Sequence, residues 1–171
     1  MEIRKLHALE VRKRILELAV ILDDCVKNGA SVSFMNPFDL GEASKFYEEV
    51  ASKCVAGELM LFAAILDGKA VGTVQLAPSQ KPNQPHRADL VKMLVHSKHR
   101  RLGIGQKLLD LVDFEAKSYG ITLITLDTAA GSDAERLYLR AEYQKAGTIP
   151  DYALWPDGGY CDTTYYYKRI G

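Results

Sequence analysis

Apolar residues in the N-terminal third recur at the spacing of one helix face. Between Val11 and Cys25 they follow one another at intervals of three and four, which predicts an amphipathic helix that ends before Gly29. A second helix is predicted to start at Pro37 and to end at Gly57, with apolar side chains at intervals of four in its second half. Two helices are therefore expected before the first strands.

After Glu58 the pattern changes to runs that are typical of β-strands. Two apolar runs between Glu58 and Ser79 are joined by Asp67-Gly68, a dipeptide that accepts the positive φ angles of a tight turn, so they predict an antiparallel hairpin. The remaining elements are a strand in RADLVKMLVH, a helix from Gly103 to Tyr119, a strand in ITLITLDT, a helix from Ser132 to Glu142 and a final strand in TTYYYKRI. ITLITLDT is almost continuously apolar, so we expect it to be covered on both faces. This order predicts one domain, residues 1–171, of the α/β (α+β) class.

Composition limits the classes of partner. With 171 residues and 47% hydrophobic side chains, the chain can bury a core without disulfides or metal ions. Its 22 Lys and Arg residues equal its 22 Asp and Glu residues, so no charge excess points to nucleic acid or to a membrane surface. The charged N-terminus does not resemble a signal peptide, and no apolar run approaches the ~18 residues of a membrane span. Three widely spaced cysteines predict no disulfide framework and fit a reduced, cytoplasmic setting.

A basic turn that contains glycine lies between the strand ending near Val95 and the third helix. In this turn Arg100 and Arg101 precede Gly103 and Gly105. The first turn of a helix presents unpaired backbone N–H groups and the positive end of the helix dipole, so it attracts anions. Glycine allows a phosphate to approach the amides closely, and the arginines can donate charge-assisted hydrogen bonds. The turn predicts a phosphate or pyrophosphate site, although its spacing matches neither the Walker A loop nor the dinucleotide fingerprint.

The residues RRLGIG match the [QR]-x-x-G-x-[GA] element of the GNAT-superfamily N-acetyltransferases, in which this turn holds the pyrophosphate of coenzyme A. Further along, Ala134, Leu137, Tyr138 and Tyr143 resemble the A-x-x-L-Y-x-x-x-G-F tail of the same superfamily. The resemblance extends from about Leu59 to Lys168. It implies the GNAT fold, a mixed and mostly antiparallel central sheet that is flanked by helices and splayed at the cofactor site.

Two positions depart from the superfamily pattern. Gly131 stands where many members have an asparagine that contacts the cofactor, and Ala141 replaces the glycine of the tail. We therefore expect the contacts on this side of the cofactor site to differ from those of other members.

Several longer segments resemble one type within the superfamily. GASVSFM, RADLVKMLV, LDTAAGS and PDGG are similar to segments of the tabtoxin-resistance type of acetyltransferase, which acetylates an amino group on a small toxin. The resemblance implies an enzyme that moves the acetyl group of acetyl-CoA directly to the primary amine of a small molecule in a ternary complex. The acceptor implied is amino-acid-like, a toxin or an antibiotic, and the implied role is resistance.

The resemblance also implies which residues contact the cofactor. They lie on the strand before the turn, on the turn itself and on the helix that carries the tail motif. The implied cofactor-binding residues are Met93, Leu94, Val95, Arg100, Arg101, Leu102, Gly103, Ile104, Gly105, Gln106, Ser132 and Tyr138.

Three residues are candidates for catalysis. Tyr138 lies at the superfamily's tyrosine position, and a phenol with a pKa near 10 stays protonated at neutral pH and suits a general acid. Asp89 and Asp127 are carboxylates within or at the end of apolar strands, where either can receive an ammonium group or remove its proton. The alternative for each carboxylate is a strand-end cap or an ion pair with Arg87 or Lys92.

Two other function classes remain open from the sequence. One is a protein or peptide N-acetyltransferase, which needs an open groove, and the other is a non-catalytic acyl-CoA-binding regulatory domain. His96 and His99 have no acidic or cysteine neighbours that complete a ligand set, so no metal site is predicted. A homodimer is the assembly left open.

Overall fold

The computed structural model describes residues 1–171 and has seven strands and five helices. The strands are β1 Glu2–Leu6, β2 Met60–Leu66, β3 Lys69–Pro78, β4 Arg87–Val95, β5 Leu123–Ala129, β6 Gln144–Leu154 and β7 Tyr160–Arg169. The helices are α1 Ala8–Lys13, α2 Ile15–Lys27, α3 Leu40–Ala56, α4 Ile104–Ser118 and α5 Asp133–Arg140. A short 3₁₀ turn, Ser97–His99, precedes α4.

All seven strands form one sheet in the order β1-β2-β3-β4-β5-β7-β6. Every pair is antiparallel except β4 and β5, which are parallel. Apolar side chains on the two faces form two separate buried clusters, one beneath α1, α2 and α3 and the other beneath α4 and α5. The fold is therefore the mixed, mostly antiparallel sheet flanked by helices that the sequence predicts.

The sheet opens between β4 and β5. The two strands pair only where Arg87 to Asp89 lie beside Leu123 to Thr125. Beyond these residues β4 continues to Val95 and β5 to Ala129 without pairing to each other. This confirms the predicted splay, and it leaves one edge of β4 with no strand partner.

A bulge in β4 lies beside the splay. Thr73 of β3 pairs with Leu94 and Gln75 pairs with Val91, so β4 has one residue more than β3 between these pairs. Lys92 in the bulge has a φ of 52°, in the left-handed region that a lysine rarely adopts. Bulges of this kind re-aim side chains, often next to functional sites.

The helix and strand boundaries differ from the sequence predictions at several places. The first predicted helix is divided at Arg14 into α1 and α2. The second begins at Leu40 and not at Pro37, because the side chain of Asp39 accepts hydrogen bonds from the amides of Gly41 and Glu42 and so caps α3. Gly57 ends this helix as predicted, with a φ of 73°.

Two strands, β1 and β6, lie outside the predicted elements. Both are edge strands, and β6 is exposed along almost all of its length, so neither carries a strong apolar pattern. The strand β5 is not covered on both faces as expected, because its residues alternate between buried and more open positions and Asp127 is exposed. No helix is both long enough and apolar enough to cross a membrane.

Candidate active site

A cavity of about 1010 Å³ occupies the gap between β4 and β5. Its walls come from the loop between α2 and α3, from β4, from the turn before α4, and from the ends of β5 and α5. Trp155, which follows β6, closes one side. The splay of the sheet therefore creates a cleft that is large enough for a sizeable ligand.

Most residues that the sequence singles out lie on the wall of this cavity. Those that line it are Met93, Leu94, Val95, Arg100, Arg101, Gly103, Ile104, Gly105, Gln106, Asp127, Ser132 and Tyr138. Leu102 does not line the cavity and is 57% exposed on the outer side of the turn. Asp89 does not line it either.

The turn before α4 has the geometry expected of an anion site. Gly103 has a φ of 74° and begins the helix without a side-chain cap. The first amides of α4, at Ile104, Gly105 and Gln106, precede the first hydrogen bond of the helix, which runs from the amide of Lys107 to the carbonyl of Gly103 at 3.2 Å. All three residues line the cavity, so the residues present fit a bound pyrophosphate.

Gly105 packs closely against α5. A Cβ atom at this position would lie 2.8 Å from Cδ2 of Leu137. The missing side chain therefore lets α4 approach α5. The prediction that this glycine also lets a phosphate approach the amides stays a prediction.

Arg100 lies against the end of β4. Its Nε donates to the carbonyl oxygen of Val95 at 3.1 Å, and its Nη2 lies 3.8 Å from Sγ of Cys25. Cys25 is buried, and burial raises the pKa of its thiol above the ordinary value. The guanidinium is therefore held along one flank of the turn, at the edge of the cavity.

A carboxylate and an ammonium group on the wall of the same cavity influence each other. Asp127 is open to the cavity, yet burial by the surrounding walls raises the pKa of its carboxyl group, and Lys92 only partly offsets this. Lys92 donates from Nζ to the carbonyl oxygen of Val32 at 2.7 Å and to Oγ of Ser33 at 3.3 Å, and it lies 5.4 Å from the ring centroid of Phe34. Burial lowers the pKa of Lys92, while Asp127 raises it in part.

Tyr138 lies on α5 and reaches the cavity from the core. It is only 4% exposed, and its ring packs against those of Tyr143 and Tyr166 at centroid distances of 5.7 and 6.2 Å. Burial, with a smaller contribution from the charge of Asp127, raises the pKa of Tyr138 above its ordinary value. The phenol is therefore protonated at neutral pH.

Asp89 is held in a separate group of polar side chains. It forms an ion pair with Arg87 and accepts a hydrogen bond from Oγ1 of Thr125 at 2.5 Å. Arg87 also donates to Oγ1 of Thr125 at 2.7 Å. The ion pair with Arg87 is the alternative role that the sequence offers for this carboxylate, and the structure does not bring Asp89 together with Asp127 and Tyr138 at the cavity wall.

The two departures from the superfamily pattern have local explanations. Ala141 has a φ of −83°, which any residue adopts, and the positive φ falls on Glu142 at 65°. Gly131 has a φ of 76°, and its amide donates to Oε2 of Glu135 at 2.8 Å. Neither replacement distorts the start or the end of α5.

Two loops are tied together beside the cavity. Asn36, between α2 and α3, donates from its backbone N to the carbonyl oxygen of Pro156 at 2.8 Å and from Nδ2 to Oδ1 of Asp157 at 2.7 Å. The hydroxyl of Ser31 donates to the carbonyl oxygen of Leu154 at 3.2 Å. These contacts join the loop that carries Ser31 to the loop that carries Trp155, and both residues line the cavity.

Sequence reasoning missed several residues of the site. Lys92 entered only as an ion-pair partner, because the groups that surround it come from positions about 60 residues away in the chain. Arg136 and Arg140 line the cavity from one face of α5, and their i, i+4 spacing is a signal that the sequence does contain. Asp24, which contacts the turn from α2, has no sequence signal.

A second cavity, of about 670 Å³, lies at the start of β5 and the end of β7. Tyrosines of β7 and His86 line it. It contains none of the predicted catalytic or cofactor-binding residues, so we place the active site in the cleft between β4 and β5.

This splayed sheet, with an uncapped, glycine-containing helix start at the gap, defines the class of acetyl-CoA-dependent acyltransferases. The sequence profile of the Acetyltransferase (GNAT) family matches residues 28–143, and the chain belongs to that family. It is 29% identical over 113 residues to an uncharacterized N-acetyltransferase encoded in the hisH-hisA intergenic region of Azospirillum brasilense, a match that spans 65% of this chain and 66% of that protein.

Solved structures share the fold at low sequence identity. An N-acetyltransferase from Staphylococcus aureus Mu50 superposes with a TM-score of 0.83 at 19% identity, covering 99% of this chain and 98% of that chain. The acetyltransferase yncA from Salmonella typhimurium, solved with its cofactor acetyl-CoA, superposes with a TM-score of 0.80 at 17% identity, covering 100% and 94%. The chain is thus a GNAT acetyltransferase, and its cofactor is acetyl-CoA.

Proposed function

We propose that the protein transfers the acetyl group of acetyl-CoA directly to the primary amine of a small molecule. The observation that carries this proposal is a single cavity that is lined both by the glycine-containing turn before α4 and by Asp127 and Tyr138. Acetyl-CoA supplies an acetyl thioester when it is bound. The chain itself must hold the pyrophosphate, receive the amine and move two protons.

The turn is the proposed pyrophosphate site. The amides of Ile104, Gly105 and Gln106 carry the partial positive charge of the helix start, and Arg100 and Arg101 add full charges beside them. The unpaired edge of β4 from Met93 to Val95 offers backbone groups to the amide-containing arm of the cofactor.

Asp127 is the proposed site for the amine. Its carboxylate receives the ammonium group and removes a proton, directly or through water, because only the neutral amine is a nucleophile. The raised pKa of Asp127 makes it a stronger base than an ordinary carboxylate. Tyr138 then donates the proton that the departing sulfur needs, and its buried phenol is protonated for this task.

The surroundings of Cys25 favour direct transfer over an acyl-enzyme route. It is the one cysteine that lines the cavity, and its thiol is buried with a raised pKa. A covalent route needs a thiolate nucleophile, which these surroundings oppose.

The loops that are tied together beside the cavity favour a small acceptor over a protein chain. Ser31 and Trp155 line the cavity, and the bonds from Asn36 to Pro156 and Asp157 hold their two loops together beside it, which leaves less room for a peptide. Asp127 lies near Lys92 and not near a second free carboxylate. The negative charge of Asp127 and the positive charge of Lys92 therefore complement an amine that also carries an acidic group. An amino-acid-like toxin or antimetabolite fits this description, which supports a detoxification role of the tabtoxin-resistance type.

Two further parts of the proposal concern the setting of the protein. All three cysteines are free, which supports a reduced, cytoplasmic setting.

Exposed apolar residues along the edge strand β6 and the loop after it, among them Tyr152 and Leu154, support association with a second copy of the chain. Analytical ultracentrifugation would give a dimer mass, and a monomer at high concentration would contradict this part.

Thiol release from acetyl-CoA across a panel of amines tests the proposal. The panel contains amino acids, their carboxamides, polyamines, aminoglycosides and peptides. We expect turnover with small amines, and higher kcat/KM for an amino acid than for its carboxamide. Acetylation of peptides alone would replace the proposal with a peptide acetyltransferase, and coenzyme A binding without any amine-dependent thiol release would replace it with a non-catalytic binder.

A further inference from the structure

Asp24 lies in the last turn of α2. Its carboxylate contacts the segment that leads into the turn before α4, residues 100–103, which is called the cofactor turn below. Oδ2 accepts a hydrogen bond from the backbone N of Ser97 at 2.7 Å, and Oδ1 accepts one from the Ser97 hydroxyl at 2.8 Å. Ser97 begins the short 3₁₀ turn that runs into Arg100. One carboxylate therefore fixes the position at which the chain leaves β4 and enters the turn.

The carboxylate of Asp24 is ionised in the folded protein. Burial by itself would raise its pKa, but the two hydrogen bonds from Ser97 and the nearby charge of Arg100 lower the pKa overall. Hydrogen bonds to a charged acceptor are stronger than those to a neutral one. The contact is therefore one of the stronger links between α2 and the turn.

A second residue in the same turn of α2, Cys25, contacts Val95 and Arg100. Sγ of Cys25, the next residue, lies 3.6 Å from the carbonyl oxygen of Val95, and Nη2 of Arg100 lies 3.8 Å from the same sulfur. The last turn of α2 therefore contacts both Ser97 and Arg100, the two ends of the 3₁₀ segment. The start of α4 has no side-chain cap of its own that would order this segment locally.

We propose that Asp24 is a positioning residue for the cofactor turn. It does not touch the cofactor in this scheme. Its bonds to Ser97 hold residues 97–103 in the shape that aims the first amides of α4 and the side chain of Arg100 at one point. The inference rests on the proposed function in one respect, that this turn holds the pyrophosphate of coenzyme A.

Asp24→Ala, Asp24→Asn and a control variant, Asp23→Ala, test this role. Asp23 is the preceding residue of the same helix and pairs with Lys27 at 2.8 Å, away from the turn. Calorimetry with coenzyme A and with pantetheine, which lacks the pyrophosphate, separates an effect on the turn from a general loss of structure. Thermal melting of each variant reports on the fold.

We expect Asp24→Ala to weaken coenzyme A binding by about 10- to 100-fold, the range expected when a hydrogen-bonded charged group is removed. Pantetheine binding should not change. Asp24→Asn should recover most of the affinity, because its carbonyl oxygen still accepts from the Ser97 amide while its NH₂ donates to the hydroxyl. Asp23→Ala should bind coenzyme A like the wild type.

Two results would overturn the inference. One is wild-type coenzyme A affinity in Asp24→Ala, and the other is an equal loss of coenzyme A and pantetheine binding. A different result bears on the proposed function itself. If the wild-type protein binds coenzyme A no more tightly than pantetheine, the turn does not hold the pyrophosphate, and both assignments fail together.

Discussion

At the residue scale, the hydroxyl of Tyr138 separates catalysis from packing. Tyr138→Phe keeps the ring contacts with Tyr143 and Tyr166 and removes only the proton donor. We expect kcat to fall by about 10²- to 10⁴-fold, the usual contribution of a positioned general acid. Single-turnover kinetics at saturating acetyl-CoA measures the loss, and calorimetry should give unchanged coenzyme A affinity. Normal turnover would make Tyr138 a core residue only.

The raised pKa of Asp127 predicts a pH dependence. As the pH falls through this raised pKa, the carboxylate takes up a proton and no longer receives or deprotonates the amine, so kcat/KM for the acceptor should fall on the acidic side. Asp127→Asn should be nearly inactive and should lack this acidic limb. An unchanged limb in the variant would assign it to another group.

Because proton binding is linked to folding, Asp127 should also affect the stability of the protein. Because the folded state holds the proton of Asp127 more tightly than the unfolded chain does, ionising this carboxyl group costs stability above the raised pKa. Asp127→Asn should therefore melt no lower than the wild type at neutral pH, and higher if the linkage dominates. A clearly lower melting temperature would show that the charged carboxylate supports the fold.

Cys25 tests whether transfer is direct. Cys25→Ala removes the only thiol on the cavity wall and leaves the contact of Arg100 with the carbonyl oxygen of Val95 in place. We expect substantial turnover to remain, measured as thiol release with an accepted amine. A loss as large as that of Tyr138→Phe, together with an acetylated wild-type protein in mass spectrometry, would favour an acyl-enzyme.

At the scale of elements, the start of α4 depends on how closely it approaches α5. Gly105→Ala should weaken coenzyme A binding, because the new methyl group meets Leu137 and displaces the start of the helix, at an overpacking cost of about 1–3 kcal/mol. Adding Leu137→Ala should restore much of the affinity. If the double variant stays as weak as Gly105→Ala, the methyl group blocks the phosphate itself. Leu137→Ala alone is the control.

The elements that sequence patterns predict well are those with one buried face. α4 and the hairpin of β2 and β3 match their predictions closely, because their apolar residues follow the period of the element and the turn at Asp67 and Gly68 has the expected positive φ angles. β6 pairs only with β7 and buries almost nothing, so no periodicity indicates it. The glycine-containing turn before α4 is formed by neighbouring residues, so the sequence shows it. The approach of Lys92 to Val32 instead depends on the bulge in β4 and on the tertiary fold.

At the scale of the whole molecule, we expect contacts between distant loops to affect binding of the amine. Asn36→Ala removes one of the ties to the loop after β6, at a cost of about 1 kcal/mol for one hydrogen bond. We expect the KM for the amine to rise about fivefold while the KM for acetyl-CoA stays constant. Asn83→Ala, an exposed position outside the cavity, should change neither constant. Equal rises in both would mean that the loops support the whole cleft.

The gap between β4 and β5 also determines how the protein should exchange its amide hydrogens. From Leu90 to Val95 one edge of β4 faces no strand, so amides on that edge have only water as a partner until a ligand arrives. These amides should exchange rapidly in the free protein although they lie in the middle of a seven-stranded sheet. Coenzyme A should slow their exchange much more than that of β2, which makes the central strand a reporter of cofactor occupancy that requires no acceptor.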